Sequence, residues 1–212
     1  MEAEVEAKFL AEGPEPLERL TAADRLGRAS LGPPRVFDEV DRYLDTDDGR
    51  LAAAGWACRL RERDGRFRVS LKGPSVAQRE SWLHHRPEVE GPATDAFDPR
   101  AWPDSEARRL VEQLSGGLPL NERFRLEQRR TERGVELDGV SLGTLTLDAV
   151  AVHAGARDAG RLFAVELELE RAGDASSLRA LAELGELLTE QPGLEPDERT
   201  KLEHALQLIA SK

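Results

Sequence analysis

The sequence predicts an α+β fold, in which a closed eight-stranded antiparallel β-barrel forms a tunnel and helices pack on its outside. Eight segments alternate charged and apolar residues with the period of two that is typical of a β-strand. Turn sequences such as RDG (63–65) and LDG (137–139) connect some of them directly. Eight antiparallel strands can close without leaving an exposed edge, and helices elsewhere in the chain need an apolar surface to cover.

The strands follow one another along most of the chain. In the first, EVEAKF places Glu4, Glu6 and Lys8 on one face and apolar residues on the other. The last, AVELELE, carries a similar row of glutamates, which would repel one another unless a positive group lay among them. The predicted strands are 2–10, 36–45, 56–63, 66–72, 82–90, 121–130, 143–152 and 162–170.

Four segments have helical periodicity. Asp174 is an N-cap candidate for the segment 174–190, and Pro196-Asp197 for the segment 196–210. The Pro- and Asp-rich stretch 91–104 reads as a loop between two halves of one domain that spans 1–212. The predicted helices are 15–26, 104–115, 174–190 and 196–210.

Composition narrows the class of function. The net charge of −11 argues against a nucleic-acid or anionic-membrane partner, but it allows a small anionic ligand in a locally basic pocket. Cys58 is the only cysteine, which excludes an intramolecular disulfide framework. The acidic N-terminus and the lack of a long apolar run favour a cytoplasmic protein. We expect a monomer or a homodimer.

Each predicted strand has one polar, mostly ionic face, and together these faces mix strong acids with strong bases. For a single strand, a solvent-exposed face is the simplest explanation. For the whole set, the dominance of Arg and Glu and the need of the helices for apolar sheet surface favour an inward-facing, ionic interior. Carboxylates there would suit Mg²⁺ or Mn²⁺, and Arg and Lys would bind phosphate oxygens.

These motifs resemble the CYTH superfamily, the triphosphate tunnel metalloenzymes. EVEAKF resembles the Glu-x-Glu-x-Lys signature of that family, and the remaining motifs follow in the family's order. The resemblance implies a tunnel, activity on triphosphates and dependence on Mg²⁺ or Mn²⁺. The other matching segments are YLDTDDGRL (43–51), CRLRER (58–63), SLKG (70–73), HHRPEVE (84–90), RLEQRRT (125–131), LTLDAV (145–150), AVELELE (164–170) and ERTKLEHAL (198–206).

The resemblance also implies roles for individual residues. Glu4, Glu6 and Lys8 would form the catalytic signature, with Lys8 either a general base or a phosphate contact. The implied metal ligands are Glu4, Glu6, Glu88, Asp148, Glu168 and one or both of Glu166 and Glu170. The implied phosphate ligands are Lys8, Arg59, Arg61, Lys72, Arg86, Arg125, Arg129 and Lys201.

Two of these assignments involve a choice. Arg129 and Arg130 compete for one family position, and strand parity favours Arg129, since Arg130 shares a face with Phe124. QRE (78–80) also offers an arginine and a glutamate, but the spacing from Lys72 favours Arg86 with Glu88.

The predicted function is hydrolysis of the terminal phosphate of a triphosphate. Inorganic triphosphate is favoured because the C-terminal segment resembles the bacterial inorganic triphosphatase branch of the family. A class IV adenylate cyclase, a thiamine triphosphatase and a non-catalytic polyphosphate- or nucleotide-binding module are the alternatives. The sequence has no phosphate-binding GxxxxGK[ST] loop and no HExxH zinc motif.

Overall fold

The computed structural model describes residues 2–74, 83–170 and 174–211, except for the side chains of 2–4 and of His85. Over these ranges the protein is α+β, as predicted, with a mostly antiparallel sheet that curls round on itself and five α-helices. None of the described helices is long and apolar enough to span a membrane.

All eight predicted strands are present, together with three short ones. In chain order the strands are β1 (Glu2–Ala11), β2 (Arg25–Leu26), β3 (Ala29–Leu31), β4 (Arg35–Asp45), β5 (Ala57–Arg63), β6 (Arg66–Lys72), β7 (Leu83–Ala93), β8 (Asn121–Leu137), β9 (Val140–Ala154), β10 (Arg157–Leu169) and β11 (Leu194–Pro196). The predicted turns 64–65 and 138–139 have positive φ angles throughout, as tight two-residue hairpins require.

The long strands pair in the order β8-β4-β5-β6-β7-β1-β10-β9. β8 also pairs antiparallel with β9, so that it has a long strand on each side. The short strands extend this arrangement: β3 pairs with β8, β2 with β3, and β11 with β1.

The helices are α1 (Pro14–Ala22), α2 (Arg50–Ala53), α3 (Glu106–Ser115), α4 (Ala175–Thr189) and α5 (Lys201–Ala210). Asp174 caps α4 as predicted, accepting hydrogen bonds from the backbone N–H groups of Ser176 and Ser177. The predicted start of the last helix was wrong. Thr200 and Glu203 form a reciprocal capping box there, while Pro196 belongs to β11.

Most of the apolar strand faces lie under helices, as the inverted pattern predicts. One cluster contains Phe9 and Leu167 from the sheet and Leu181 from α4. A second contains Leu60 from β5 and Val111 from α3. The opposite, ionic faces of these strands are therefore turned away from the helices.

α5 departs from the expectation that every helix packs on the outside. Its Ala205 packs against Val150 and Leu162. Since side chains alternate along a strand, Val150 shares a face with Asp148, and Leu162 shares a face with Glu166. The inner face of β8–β10 therefore changes from ionic to apolar towards one end, and α5 covers that end.

Candidate functional site

The ionic face of the sheet is buried, like the apolar face beneath the helices. Glu6 and Lys8 of β1, Asp41 of β4 and Asp148 of β9 are each 3% exposed or less. Charged side chains are almost never buried this far unless they are paired or bind a ligand. The interior is therefore a built ionic site, and it divides into two regions.

The first region, the cationic cavity, is an opening of about 320 Å³ surrounded by positive side chains. Five different elements each contribute one cation to its wall: Lys8 from β1, Arg59 from β5, Lys72 from β6, Arg86 from β7 and Lys201 from α5. All five were predicted as phosphate ligands. Five cations therefore converge on one cavity in a chain whose net charge is −11.

Lysine usage supports the same location. The chain contains only four lysines, and Lys8, Lys72 and Lys201 all line this cavity. Elsewhere the chain places arginine where a cation is needed. The bias is visible in the sequence and could have identified the three residues without any family resemblance.

Carboxylates stand directly behind these cations. Glu6 accepts from Lys8 Nζ at 2.9 Å and from Arg86 Nη2 at 3.2 Å. Lys201 Nζ bridges two other strands, lying 2.6 Å from Asp148 and 2.7 Å from Glu166. The cavity therefore has an outer layer of cations and an inner layer of acids that hold them in place.

These contacts set the protonation states. Burial alone would raise the pKa of Asp148, but Arg130 and Lys201 more than offset burial and lower it. Burial likewise opposes ionisation of Glu166, yet Lys201 and Lys8 hold its pKa well below its usual value. Burial would lower the pKa of Lys201, whereas its two carboxylate partners raise it. All of these groups are therefore charged at neutral pH.

The second region, the paired network, consists of Glu39, Asp41, Arg61, Arg63, Arg130, Glu132 and Asp148. Asp41 accepts two hydrogen bonds from Arg61, each at 2.7 Å, and Asp148 accepts two from Arg130, at 2.8 and 2.7 Å. Arg63 pairs with both Glu39 and Glu132. The charges of the paired network are thus satisfied within the protein, and Arg61 and Arg130 do this in the bidentate geometry that arginine and carboxylate favour.

The structure corrects the assignment of the basic strand β8. Arg129 lies on the outer surface with 68% of its side chain exposed, and Arg125 bonds to Glu127 and to the carbonyl of Gly155. Arg130 faces inward instead. The parity argument was wrong because it took Phe124 as a mark of the outer face, whereas Phe124 belongs to the apolar end of the interior beneath α5.

The remaining predicted metal ligands are spread along the interior. Glu88 lies 3.5 Å from Lys72, and both are mostly buried. Glu168 and Glu170 are exposed, and Glu170 follows the end of β10. The side chain of Glu4 and the alternative segment 78–80 lie outside the described residues.

The donor chemistry fits a divalent cation, although the described side chains form no group of three or more His, Cys, Asp or Glu placed to hold one. Glu6 and Glu168 are directly opposite each other on neighbouring strands, where facing like charges destabilise a sheet. Carboxylate oxygens are the ligands that Mg²⁺ and Mn²⁺ prefer. Glu6 and Glu168 both belong to the metal ligands that the family resemblance implies, and Glu6 is two residues from Glu4 on β1.

Two neutral side chains in the cavity wall were not predicted as site residues. His84 is buried, and its Nε2 lies 2.7 Å from the carbonyl oxygen of Asp197, to which it must donate. Burial lowers the pKa of His84, which keeps the ring neutral at neutral pH. Tyr43 stacks on Phe124 with ring centroids 4.6 Å apart. Both belong to segments that match the family's motifs, Tyr43 to YLDTDDGRL (43–51) and His84 to HHRPEVE (84–90).

Solved structures share this fold at low sequence identity. A candidate adenylyl cyclase from Hippeastrum, HpAC1, for which a dominant triphosphatase activity is described, is 19% identical with a TM-score of 0.64, over 96% of this chain and 95% of that chain. A candidate adenylate cyclase from Bacillus halodurans is 19% identical with a TM-score of 0.59, over 96% and 98%. The capping-enzyme triphosphatase of Mimivirus is 11% identical with a TM-score of 0.50, over 87% and 88%.

No curated protein matches the sequence. The model of the CYTH domain, by contrast, matches residues 2–206, which include every residue of the cavity wall. With almost the entire chain matched, and the cations of its signature strands gathered round one cavity, this protein belongs to the CYTH domain family.

Proposed function

We propose that this protein hydrolyses the terminal phosphate of inorganic triphosphate in a reaction that depends on Mg²⁺ or Mn²⁺. The observation that carries the proposal is the convergence of five cations on one cavity of about 320 Å³ in an acidic chain. A linear triphosphate is small and highly charged, so it needs several cations at close range and little else. The protein's membership of the CYTH domain family and the triphosphatases among its structural neighbours support the same reaction class.

The proposal includes a closed, eight-stranded tunnel around the substrate. The pairing of β8 with both β4 and β9 supports this, since each of the eight long strands then has a long strand on both sides. A surrounded substrate would be shielded from bulk water, which strengthens each of its contacts with the wall.

In the reaction, a water oxygen forms a bond to the terminal phosphorus while the bond from that phosphorus to the bridging oxygen breaks, leaving phosphate and diphosphate. Lys72, Arg59 and Arg86 would neutralise the phosphate oxygens and the charge that develops on the leaving group. Glu6 and Glu168 would hold the metal, which supplies further charge neutralisation when bound.

Lys8 is better suited to bind phosphate than to act as the base. Its ammonium donates to Glu6 at 2.9 Å, so it is held as a hydrogen-bond donor at the cavity wall. A protonated amine can neutralise a phosphate oxygen but cannot accept a proton from water. One of the carboxylates behind the cations would orient the attacking water instead.

A second candidate is cyclisation of ATP. The cavity wall also contains Trp56, Pro74 and Leu202, an apolar surface that inorganic triphosphate does not need and that a nucleoside could contact. Product analysis with ATP distinguishes the cases: cyclic AMP with diphosphate indicates a cyclase, and ADP with phosphate indicates a triphosphatase. Tight triphosphate binding without any turnover would indicate a binding module.

The main test is release of phosphate from inorganic triphosphate with Mg²⁺ or Mn²⁺ and after treatment with EDTA. We expect activity only with metal, and we expect Glu4→Ala and Lys72→Ala to abolish it. Arg129→Ala is the control for Lys72→Ala. It also removes one positive charge, but from the outer surface, and it should leave the rate unchanged. Full activity in both Glu4→Ala and Lys72→Ala would contradict the site.

A further inference from the structure

Two arginines of β5 have different environments although they share a strand face. The family resemblance assigns both Arg59 and Arg61 to phosphate. Arg59 lines the cationic cavity, whereas Arg61 does not belong to its described wall. Arg61 instead donates through Nε and Nη2 to the two carboxylate oxygens of Asp41, both at 2.7 Å.

Arg59 is held from both sides. Its Nε donates to Ser70 Oγ on β6 at 3.0 Å, and its Nη1 lies 3.5 Å from Asp41 Oδ2 on β4. Arginine side chains lose much conformational freedom when they are ordered, so a cation that is fixed before the ligand arrives binds with less loss of entropy. The two anchors therefore prepare Arg59 for its place in the cavity wall.

Asp41 is itself firmly fixed. Only 1% of its surface is exposed, and Gln128 Nε2 donates to it at 3.2 Å besides the two arginines. Burial opposes the charge of Asp41, but Arg61 and Arg59 more than offset burial and lower its pKa. A carboxylate held in this way is a permanent anion behind the cavity wall.

We infer that Asp41 is a positioning residue that divides the arginine pair of β5: it holds Arg59 in the cavity and retains Arg61 as its own counter-ion. Arg61 is then not a phosphate ligand in this protein. The inference rests on the proposed function only in assuming that the cavity binds a triphosphate.

The inference can be tested by whether the loss of a negative charge at Asp41 tightens or weakens anion binding. Asp41 places a negative charge next to a cation that would bind an anion, so simple Coulomb reasoning expects Asp41→Asn to tighten anion binding. If Asp41 positions Arg59, the same substitution weakens binding although it makes the protein more positive. The two explanations predict opposite changes in affinity.

The experiment is calorimetric titration of the full-length protein with inorganic triphosphate in EDTA, which halts the proposed metal-dependent turnover. We expect Asp41→Asn to weaken binding about tenfold, the scale of one misplaced charge-assisted contact. Asp38→Asn is the matched control, since Asp38 is on the same strand, is mostly exposed and loses the same charge. Its affinity should equal that of the wild type.

A double-mutant cycle identifies the route of the effect. If Asp41 acts through Arg59, then Asp41→Asn adds nothing to the loss already caused by Arg59→Met. Arg61→Met should weaken binding far less than Arg59→Met. Unchanged or tighter binding in Asp41→Asn, additive effects in the cycle, or equal losses from the two arginines would each overturn the inference.

Ser70→Ala provides a second variant if Asp41→Asn does not fold. It removes the other anchor of Arg59 without leaving a buried charge unpaired, and it should weaken binding in the same direction. Wild-type affinity in Ser70→Ala would then count against the inference. Binding by the wild type without hydrolysis in metal would refute the proposed function while leaving this test intact.

Discussion

The cationic cavity and the paired network are built from the same residue types on the same inner face, yet they have opposite character. In the cavity, Lys72 has its closest described carboxylate, Glu88, at 3.5 Å. In the network, Arg61 and Arg130 each have both oxygens of a carboxylate within 2.8 Å. Arg61 and Arg130 are thus held in bidentate pairs within the protein, whereas the cavity cations also contact carboxylates but line an opening.

The difference comes from the neighbouring strand. β4 places Glu39 and Asp41 opposite Arg63 and Arg61, whereas it places Tyr43, which carries no charge, opposite Arg59. An arginine of β5 is therefore either paired with the carboxylate across from it or left at the cavity wall, according to the residue that β4 places opposite. The comparison predicts that network residues contribute mainly to stability and cavity residues mainly to binding and rate.

The largest expected effect is on stability, in Arg130→Met. This change leaves Asp148 fully buried with Lys201 as its remaining close cation. Removing one partner of a buried ion pair destabilises a protein by about 3–5 kcal/mol. Urea unfolding should show this loss as a lower midpoint with an unchanged slope. A loss below about 1 kcal/mol, the value typical of exposed pairs, would place Arg130 outside a buried network.

Lys72→Met should lower the rate of hydrolysis and change stability little. The side chain lines the cavity and is not a member of the paired network, so we expect its removal to cost less stability than the removal of Arg130. Removal of one group that stabilises transition-state charge typically costs about 10²–10³-fold in rate. We expect kcat/KM for inorganic triphosphate to fall by that factor with an unfolding midpoint close to that of the wild type. A strongly destabilised Lys72→Met with unchanged kcat/KM would reverse the comparison.

The sequence predicted the eight long strands and most of the cavity, because strand periodicity directly reports which side chains share a face. Its errors have a common cause. Periodicity shows that two residues share a face, but it does not show whether that face is covered by a helix, by solvent or by opposite charge. Phe124 on an inner face beneath α5, and Arg61 opposite Asp41, both depend on tertiary neighbours that a single strand does not reveal.

A smaller effect is expected on the pH dependence of the free energy of unfolding. Asp148 and Glu166 have pKa values below their ordinary 3.8 and 4.5 in the folded protein. Their contribution is therefore complete above about pH 4.5 and is lost as pH falls through the lowered values, a loss on the order of 1–3 kcal/mol. Lys201→Met should flatten this acid limb, because it removes a cation that lies within 2.7 Å of both carboxylates.

Unfolding free energies measured in EDTA from pH 7 to pH 3 would test this prediction. Lys72→Met is the matched control, since it removes a lysine from the same cavity without touching either carboxylate's close ion pair. An acid limb that is equally steep in Lys201→Met and in the wild type would show that Lys201 does not hold those pKa values down.

The smallest expected effect is that of Arg129→Met. Arg129 neighbours Arg130 in sequence, but 68% of its side chain is exposed and its contact with Asp38 is 3.9 Å long. Such surface pairs contribute about 0–1 kcal/mol, so stability should change by no more than about 0.5 kcal/mol and kcat/KM should not change. Set beside Arg130→Met, this variant compares adjacent arginines on opposite faces of one strand. A rate loss in Arg129→Met, with stability intact, would return Arg129 to the site and place the charged interior on the other face of β8.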